Sequence, residues 1–91
     1  MKGDEKILKT LNELLKDELT AIVQYVVHAE MCADWGYERL HEAIEKRSRQ
    51  EMKHAESLIE RIIFLEGTPI VSQLGDVHVG PDVQTQLQSD L

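Results

Sequence analysis

Arg47-Ser48-Arg49-Gln50-Glu51-Met52-Lys53-His54-Ala55-Glu56-Ser57-Leu58 is the stretch on which the fold of this chain turns. It sits in the middle of a helical pattern running from about Glu38 to about Glu66, with Gly67 and Pro69 as its stop. Steps of three and four residues give the seam Leu40, Ile44, Arg47, Glu51, His54, Leu58 and Leu65, with Ile62 beside it. The seam is apolar at its ends and polar through its middle third. Solvated faces are polar throughout and core faces apolar throughout, so this pattern needs a partner for its polar centre.

A second helical pattern precedes it, from about Asp4 to about Asp34, with Asp4 as N-cap and Gly36 as stop. Its seam is Leu8, Leu11, Leu15, Ile22, Tyr25, Ala29 and Cys32, and the same spacing passes through Glu18. The link Trp35-Gly36-Tyr37 is short enough to force an antiparallel hairpin. At ~1.5 Å per residue each helix is roughly 45 Å long. Residues 69–79 carry Ile70, Val71, Leu74, Val77 and Val79 without helical spacing and read as an extended, packed segment. Gly80-Pro81-Asp82 then opens a short helix through Leu87. The expectation is a single all-α domain over 1–91, with helices at about 4–34 and 38–66 and a tail at 67–91.

Composition removes several function classes. The formal net charge is −7 and residues 62–91 contain no Lys or Arg. This argues against a nucleic-acid-binding module, which carries a basic patch. No apolar run approaches the roughly 18 residues of a membrane span, and Met1-Lys2-Gly3-Asp4-Glu5 lacks the apolar core of a secretory signal. The single cysteine, Cys32, has no partner for an internal disulfide. A cytoplasmic setting is expected.

Glu51 and His54 form Glu-x-x-His, a carboxylate and an imidazole one helical turn apart. With Glu18 they offer three ligands suited to iron, manganese or zinc. Twofold symmetry doubles them to four carboxylates and two histidines, the ligand set recognised from di-metal carboxylate bundles. One hairpin likewise supplies two of the four helices such a bundle needs. The plainer readings are a solvated Glu51–His54 pair, a snorkelling Glu18 and a core aromatic in Tyr25, which lies two turns from Glu18. Met52, Ala55, Ile59 and Ile63 form a further apolar stripe, as do Leu19, Ile22, Val23 and Val26 on the first helix. At about 100° per residue, position 52 points well away from 51 and 54. Met52 reads as an interface filler or as a thioether ligand to haem iron. His28, His41 and His78 read as surface or packing residues, Cys32 as a small core residue, and the charge run Glu45-Lys46-Arg47-Ser48-Arg49 as a solvated face.

Beyond these patterns the chain resembles the first half of bacterioferritin. The resemblance is carried by Met1-Lys2-Gly3-Asp4, Leu11-Asn12-Glu13-Leu14-Leu15, Glu18-Leu19-Thr20-Ala21-Ile22, Asp34-Trp35-Gly36 and Glu51-Met52-Lys53-His54-Ala55. It continues through Leu58-Ile59-Glu60-Arg61-Ile62, Phe64-Leu65-Glu66-Gly67, Leu74-Gly75, Gly80 and Asp82-Val83. It implies Glu18 as terminal iron ligand, Glu51 as bridging carboxylate, His54 as terminal imidazole and Tyr25 beside the centre. It also implies Met52 as axial ligand of a haem shared across a twofold axis, among Leu19, Ile22, Val23, Val26, Ala55 and Ile59. The family's second carboxylate and second Glu-x-x-His lie outside the matched half, so an intact di-iron centre is expected from two chains. Gln50 stands where relatives often carry Asp. Because Met52 and Glu51/His54 face different ways, two different twofold interfaces and a homo-oligomer larger than a dimer are expected. The implied activity is a ferroxidase: Fe(II) oxidation by oxygen or peroxide, in iron storage. The alternative is a haem electron-transfer protein or a structural oligomer with a non-catalytic metal site.

Overall fold

Asp4 starts the first helix: its carboxylate accepts from the backbone N–H of Lys6 at 2.7 Å, satisfying one of the free donors of the first turn. A computed structural model describes residues 3–90. It contains three helices, α1 (Glu5–Asp34), α2 (Glu38–Phe64) and α3 (Val83–Ser89), and no strand among the described residues. Gly36, at φ +84°, closes α1. Its N–H bonds to Ala33 O and that of Tyr37 to Cys32 O, which is the paired closure of a Schellman motif. The chain reverses there and α2 returns along α1, giving a body 49 × 20 × 19 Å. None of the helices is long and apolar enough to cross a membrane.

The hairpin core has two parts. Leu15, Ile22, Ala55 and Ile62 form one, flanked by Leu8, Leu11, Leu19, Leu58 and Ile59. Tyr25, Ala29, Cys32 and Ile44 form the other, nearer the turn. Early α1 thus meets late α2 and late α1 meets early α2, the pairing of an antiparallel hairpin.

Four expectations are corrected. The buried line of α2 is Ile44, Ser48, Ala55 and Ile62, while Arg47 and His54 are exposed. Small Ser48 and Ala55 let the helices approach closely; the larger residues of the expected seam lie to one side. Ile22 and Ala55, assigned above to the haem face, are therefore in the hairpin's own core. Helix α2 ends at Phe64 rather than 66, and Glu66, not Gly67, takes the left-handed conformation at φ +60°. Gly67 serves space: a Cβ there would lie 2.6 Å from Leu8 Cδ2. Finally, the tail does not pack through its apolar residues, since Ile70, Val71, Leu74 and Val79 are exposed.

Polar side chains on the back of α1 hold the tail instead. Asn12 Oδ1 accepts from Ile70 N at 2.8 Å, Thr20 Oγ1 from Gly75 N at 2.7 Å and Gln24 Oε1 from His78 N at 2.9 Å. His28, read as surface or packing, is fully buried. Its Nε2 accepts from Gly80 N at 3.0 Å, so the proton sits on Nδ1 and faces the Asp90 carboxylate at 3.0 Å. Helix α3, capped by Asp82 on Thr85 N at 2.8 Å, is thereby seated on late α1.

Candidate metal centre

Glu18 lies midway along α1, and Glu51 and His54 lie one turn apart midway along α2. The antiparallel register brings the three together on one flank of the hairpin. One ligand atom from each lies within 4.8 Å of the other two. His54 Nδ1 is 3.4 Å from Glu51 Oε2 and 3.8 Å from Glu18 Oε2. The side chains are 18% exposed for Glu51, 28% for Glu18 and 62% for His54, so the carboxylates are set back and the imidazole forms the rim.

Two carboxylates this close cannot both be bare without cost. Glu18 is pushed up to about 7, first by the hydrogen bond it makes to Glu51, then by burial and by the Glu51 charge. Glu51 is held below the ordinary carboxylate range, chiefly because it accepts that bond and then because His54 adds a second one. The two shifts together favour a proton on Glu18 beside an ionised Glu51. Glu18 Oε2 is nevertheless buried without a hydrogen-bond partner. A buried acceptor facing a second carboxylate and an imidazole is the donor set of a divalent cation such as iron, manganese or zinc. The residues fit such an ion, and a metal would replace the proton on Glu18.

Tyr25 is buried near the turn side of this cluster and is not among its three ligands. Burial raises its phenol, while the Arg47 guanidinium, 5.4 Å from the ring centroid, works against that. Arg47 was read both as a seam position and as part of a solvated charge run, without a role at this cluster. It lies one turn before Glu51, and its charge helps to lower Glu51. The i, i+4 spacing of the two was the available signal.

The opposite flank is apolar. Met52 is 43% exposed, with Val23 at 36%, Val26 at 46% and Ile63 at 59%. Leu19 and Ile59 are half-buried against the core beneath them. Of the residues expected around haem, Met52, Val23 and Val26 are open on this flank, and Ile22 and Ala55 are not.

Comparison with known proteins gives one answer. Residues 8–91 match the ferritin-like domain family. Across all 91 residues the chain is 44% identical to a bacterial ferritin of Paramagnetospirillum magnetotacticum, covering 56% of that protein. It is 46% identical to a bacterial ferritin of Synechocystis sp., covering 58%, and 42% identical to a bacterioferritin of Mycobacterium leprae, covering 57%. The chain spans a little over half the length of the curated relatives it matches.

Proposed function

The chain belongs to the ferritin-like domain family, and from that membership we propose that two copies pair into a four-helix bundle that oxidises Fe(II) at a shared di-iron centre. One observation carries this reading. Glu18, Glu51 and His54 converge on an open flank, with Glu18 Oε2 buried and unpartnered. Three ligands are half of the set known from di-metal carboxylate bundles, and a twofold copy supplies the other half.

Fe(II) is the substrate. The centre takes two ions, each gives up one electron, and oxygen or peroxide accepts the pair. Glu51, 3.4 Å from His54, would be the bridging carboxylate, and Glu18 and His54 would be terminal ligands. Glu18 releases its proton on binding, and both carboxylates then offset the charge that rises as iron is oxidised. His54 must be neutral to ligate, so binding weakens in acid. Tyr25 stands beside the centre, its phenol kept protonated by burial.

The Met52 flank supports a second part of the same reading. Met52 would offer its thioether to haem iron, as would Met52 of another copy, with exposed Val23 and Val26 and half-buried Leu19 and Ile59 lining the apolar face. The two flanks then make two different twofold interfaces and an oligomer beyond the dimer. A role in iron storage is supported by the relatives, which carry the names bacterial ferritin and bacterioferritin.

Stopped-flow Fe(II) oxidation tests the centre. Glu18→Ala should slow the rapid phase at least about tenfold, the lower end for disturbing a metal site. Unchanged kinetics would remove the assignment. Haem without catalytic oxygen consumption would favour the electron-transfer alternative, in which the metal site is structural.

A further inference from the structure

On the Met52 flank, close to the turn, a second imidazole faces two carboxylates. Glu30 lies near the end of α1, and His41 and Glu45 lie one turn apart at the start of α2. One ligand atom from each lies within 4.8 Å of the others. Positions 41, 45 and 52 fall within ~40° of one another at about 100° per residue, so this cluster is on the side away from His54.

The orientation of His41 is what distinguishes the cluster from a solvated acidic patch. Its Nδ1 is 2.7 Å from the carbonyl of Ala29, on the other helix. A carbonyl only accepts, so Nδ1 carries a proton, and in the neutral ring Nε2 presents a lone pair. That lone pair is 3.4 Å from Glu45 Oε2. Two acceptors facing each other need positive charge between them. An imidazole fixed through Nδ1–H to a backbone carbonyl is also the arrangement that orients metal-ligating histidines. The other oxygen of Glu45 is engaged by the Arg49 guanidinium, which turns Oε2 toward His41. The His41 side chain is 18% exposed, half-sunk between the helices, and Glu30 and Glu45 form the wetter rim.

We propose that Glu30, His41 and Glu45 bind a divalent transition-metal cation, at a site separate from Glu18, Glu51 and His54. One imidazole with two carboxylates suits Fe(II), Mn(II), Co(II) or Zn(II) rather than a soft ion. The three protein ligands leave further positions open to water. Since Glu30 comes from α1 and the others from α2, the ion ties the two helices together next to the turn.

The test uses the full chain carrying Glu18→Gln and His54→Gln, so that the first centre is silenced and the outcome does not depend on the ferroxidase reading. Co(II) is titrated while its visible absorption and the thermal midpoint are followed. The expected result is about one ion per chain and a rise in midpoint, as for any ligand that binds only the folded state. Adding His41→Gln should weaken binding at least about tenfold and abolish the rise, the scale seen when metal-site residues are lost. Far-UV circular dichroism reports whether that chain is folded. Glu30→Gln, at an exposed position away from the Ala29 bond, gives an independent reading and should also weaken binding. Absence of Co(II) binding in the silenced chain overturns the site. So does binding that both His41→Gln and Glu30→Gln leave unchanged, and in either case His41 is an imidazolium paired with its glutamates.

Discussion

Positions 18 and 19 on α1, like 51 and 52 on α2, are neighbours in the chain that belong to opposite flanks of the hairpin. Glu18 and Glu51 are half-buried on one side, where the neighbouring Glu51 raises Glu18. Leu19 and Met52 lie on the other side, among exposed Val23 and Val26. The buried line between them, Leu15, Ile22, Ala55 and Ile62, is common to both. A rotation of about 100° per residue is all that separates a charged surface from an apolar one. In the proposed reading the first flank takes cations through Glu18, Glu51 and His54, and the second, away from the Glu30–His41–Glu45 cluster near its turn end, takes apolar contact. One small hairpin can therefore carry two occupants of unlike chemistry without either reaching into the other.

The strongest way to break this comparison is to damage what the flanks share. Leu15 is fully buried in the common core. Leu15→Ala should cost about 2–5 kcal/mol through lost apolar burial and the cavity left behind. Denaturant unfolding measures it, and Fe(II) oxidation and haem content should decline together. A smaller cost, with one function spared, would mean that the two flanks have separate foundations.

A more selective change sharpens the comparison. Met52→Ala should lower haem affinity at least about tenfold, equivalent to about 1.4 kcal/mol, because the thioether is the axial donor in the proposed site. Haem absorbance on the purified assembly reads it. Oxidation in the rapid phase should stay within about twofold, a change too small to count as lost transition-state stabilisation. Equal loss of both activities from this variant would show that the flanks are coupled rather than independent.

The hairpin was legible in the sequence because its signals are local. Asp4, Gly36 and the three-to-four spacing act within a turn or two of where they stand. The convergence of Glu18, Glu51 and His54 was legible for the same reason, since Glu51 and His54 share a helix and Glu18 falls on a readable stripe. The true buried line of α2 was not, because a seam is read by ranking large apolar residues. Close helix packing instead favoured Ser48 and Ala55, displacing Arg47 and His54 to the side. His28 was missed because its partners, Gly80 and Asp90, are brought to it by the tail from 52 and 62 residues away. Nothing adjacent to His28 marks it as buried. Glu30, His41 and Glu45 escaped notice because they straddle the turn and no single-helix spacing unites them. Glu66 in the left-handed region runs against the preference for glycine there, and Gly67 beside it drew the expected helix end from Phe64 to about Glu66.

The smallest expected effect lies in the pH dependence of the chelated chain. Glu18 keeps its proton in the folded state to about 7, whereas its ordinary value is 4.5. Below 4.5 the folded and unfolded chains both hold that proton, and Glu18 contributes no difference. Between 4.5 and about 7 the unfolded chain releases it while the folded chain retains it. Rising pH therefore favours unfolding across this window, and the full penalty is reached above it. Glu51 acts in the opposite sense, since its lowered value contributes stability that is lost as pH falls. That depression comes first from the bond Glu18 donates, so at neutral pH the proton on Glu18 governs the pair. Glu18→Gln keeps a donor beside Glu51 and removes the second negative charge. The thermal midpoint of the metal-free parent should therefore drop between pH 5 and pH 8 by more than that of the variant, a window set by the two values above. Titrating groups that do not interact with Glu18 are the same in both chains and cancel in the difference. Parallel midpoint curves would mean that no proton is held between the carboxylates, and that the flank is an ordinary acidic surface rather than a place prepared for a cation.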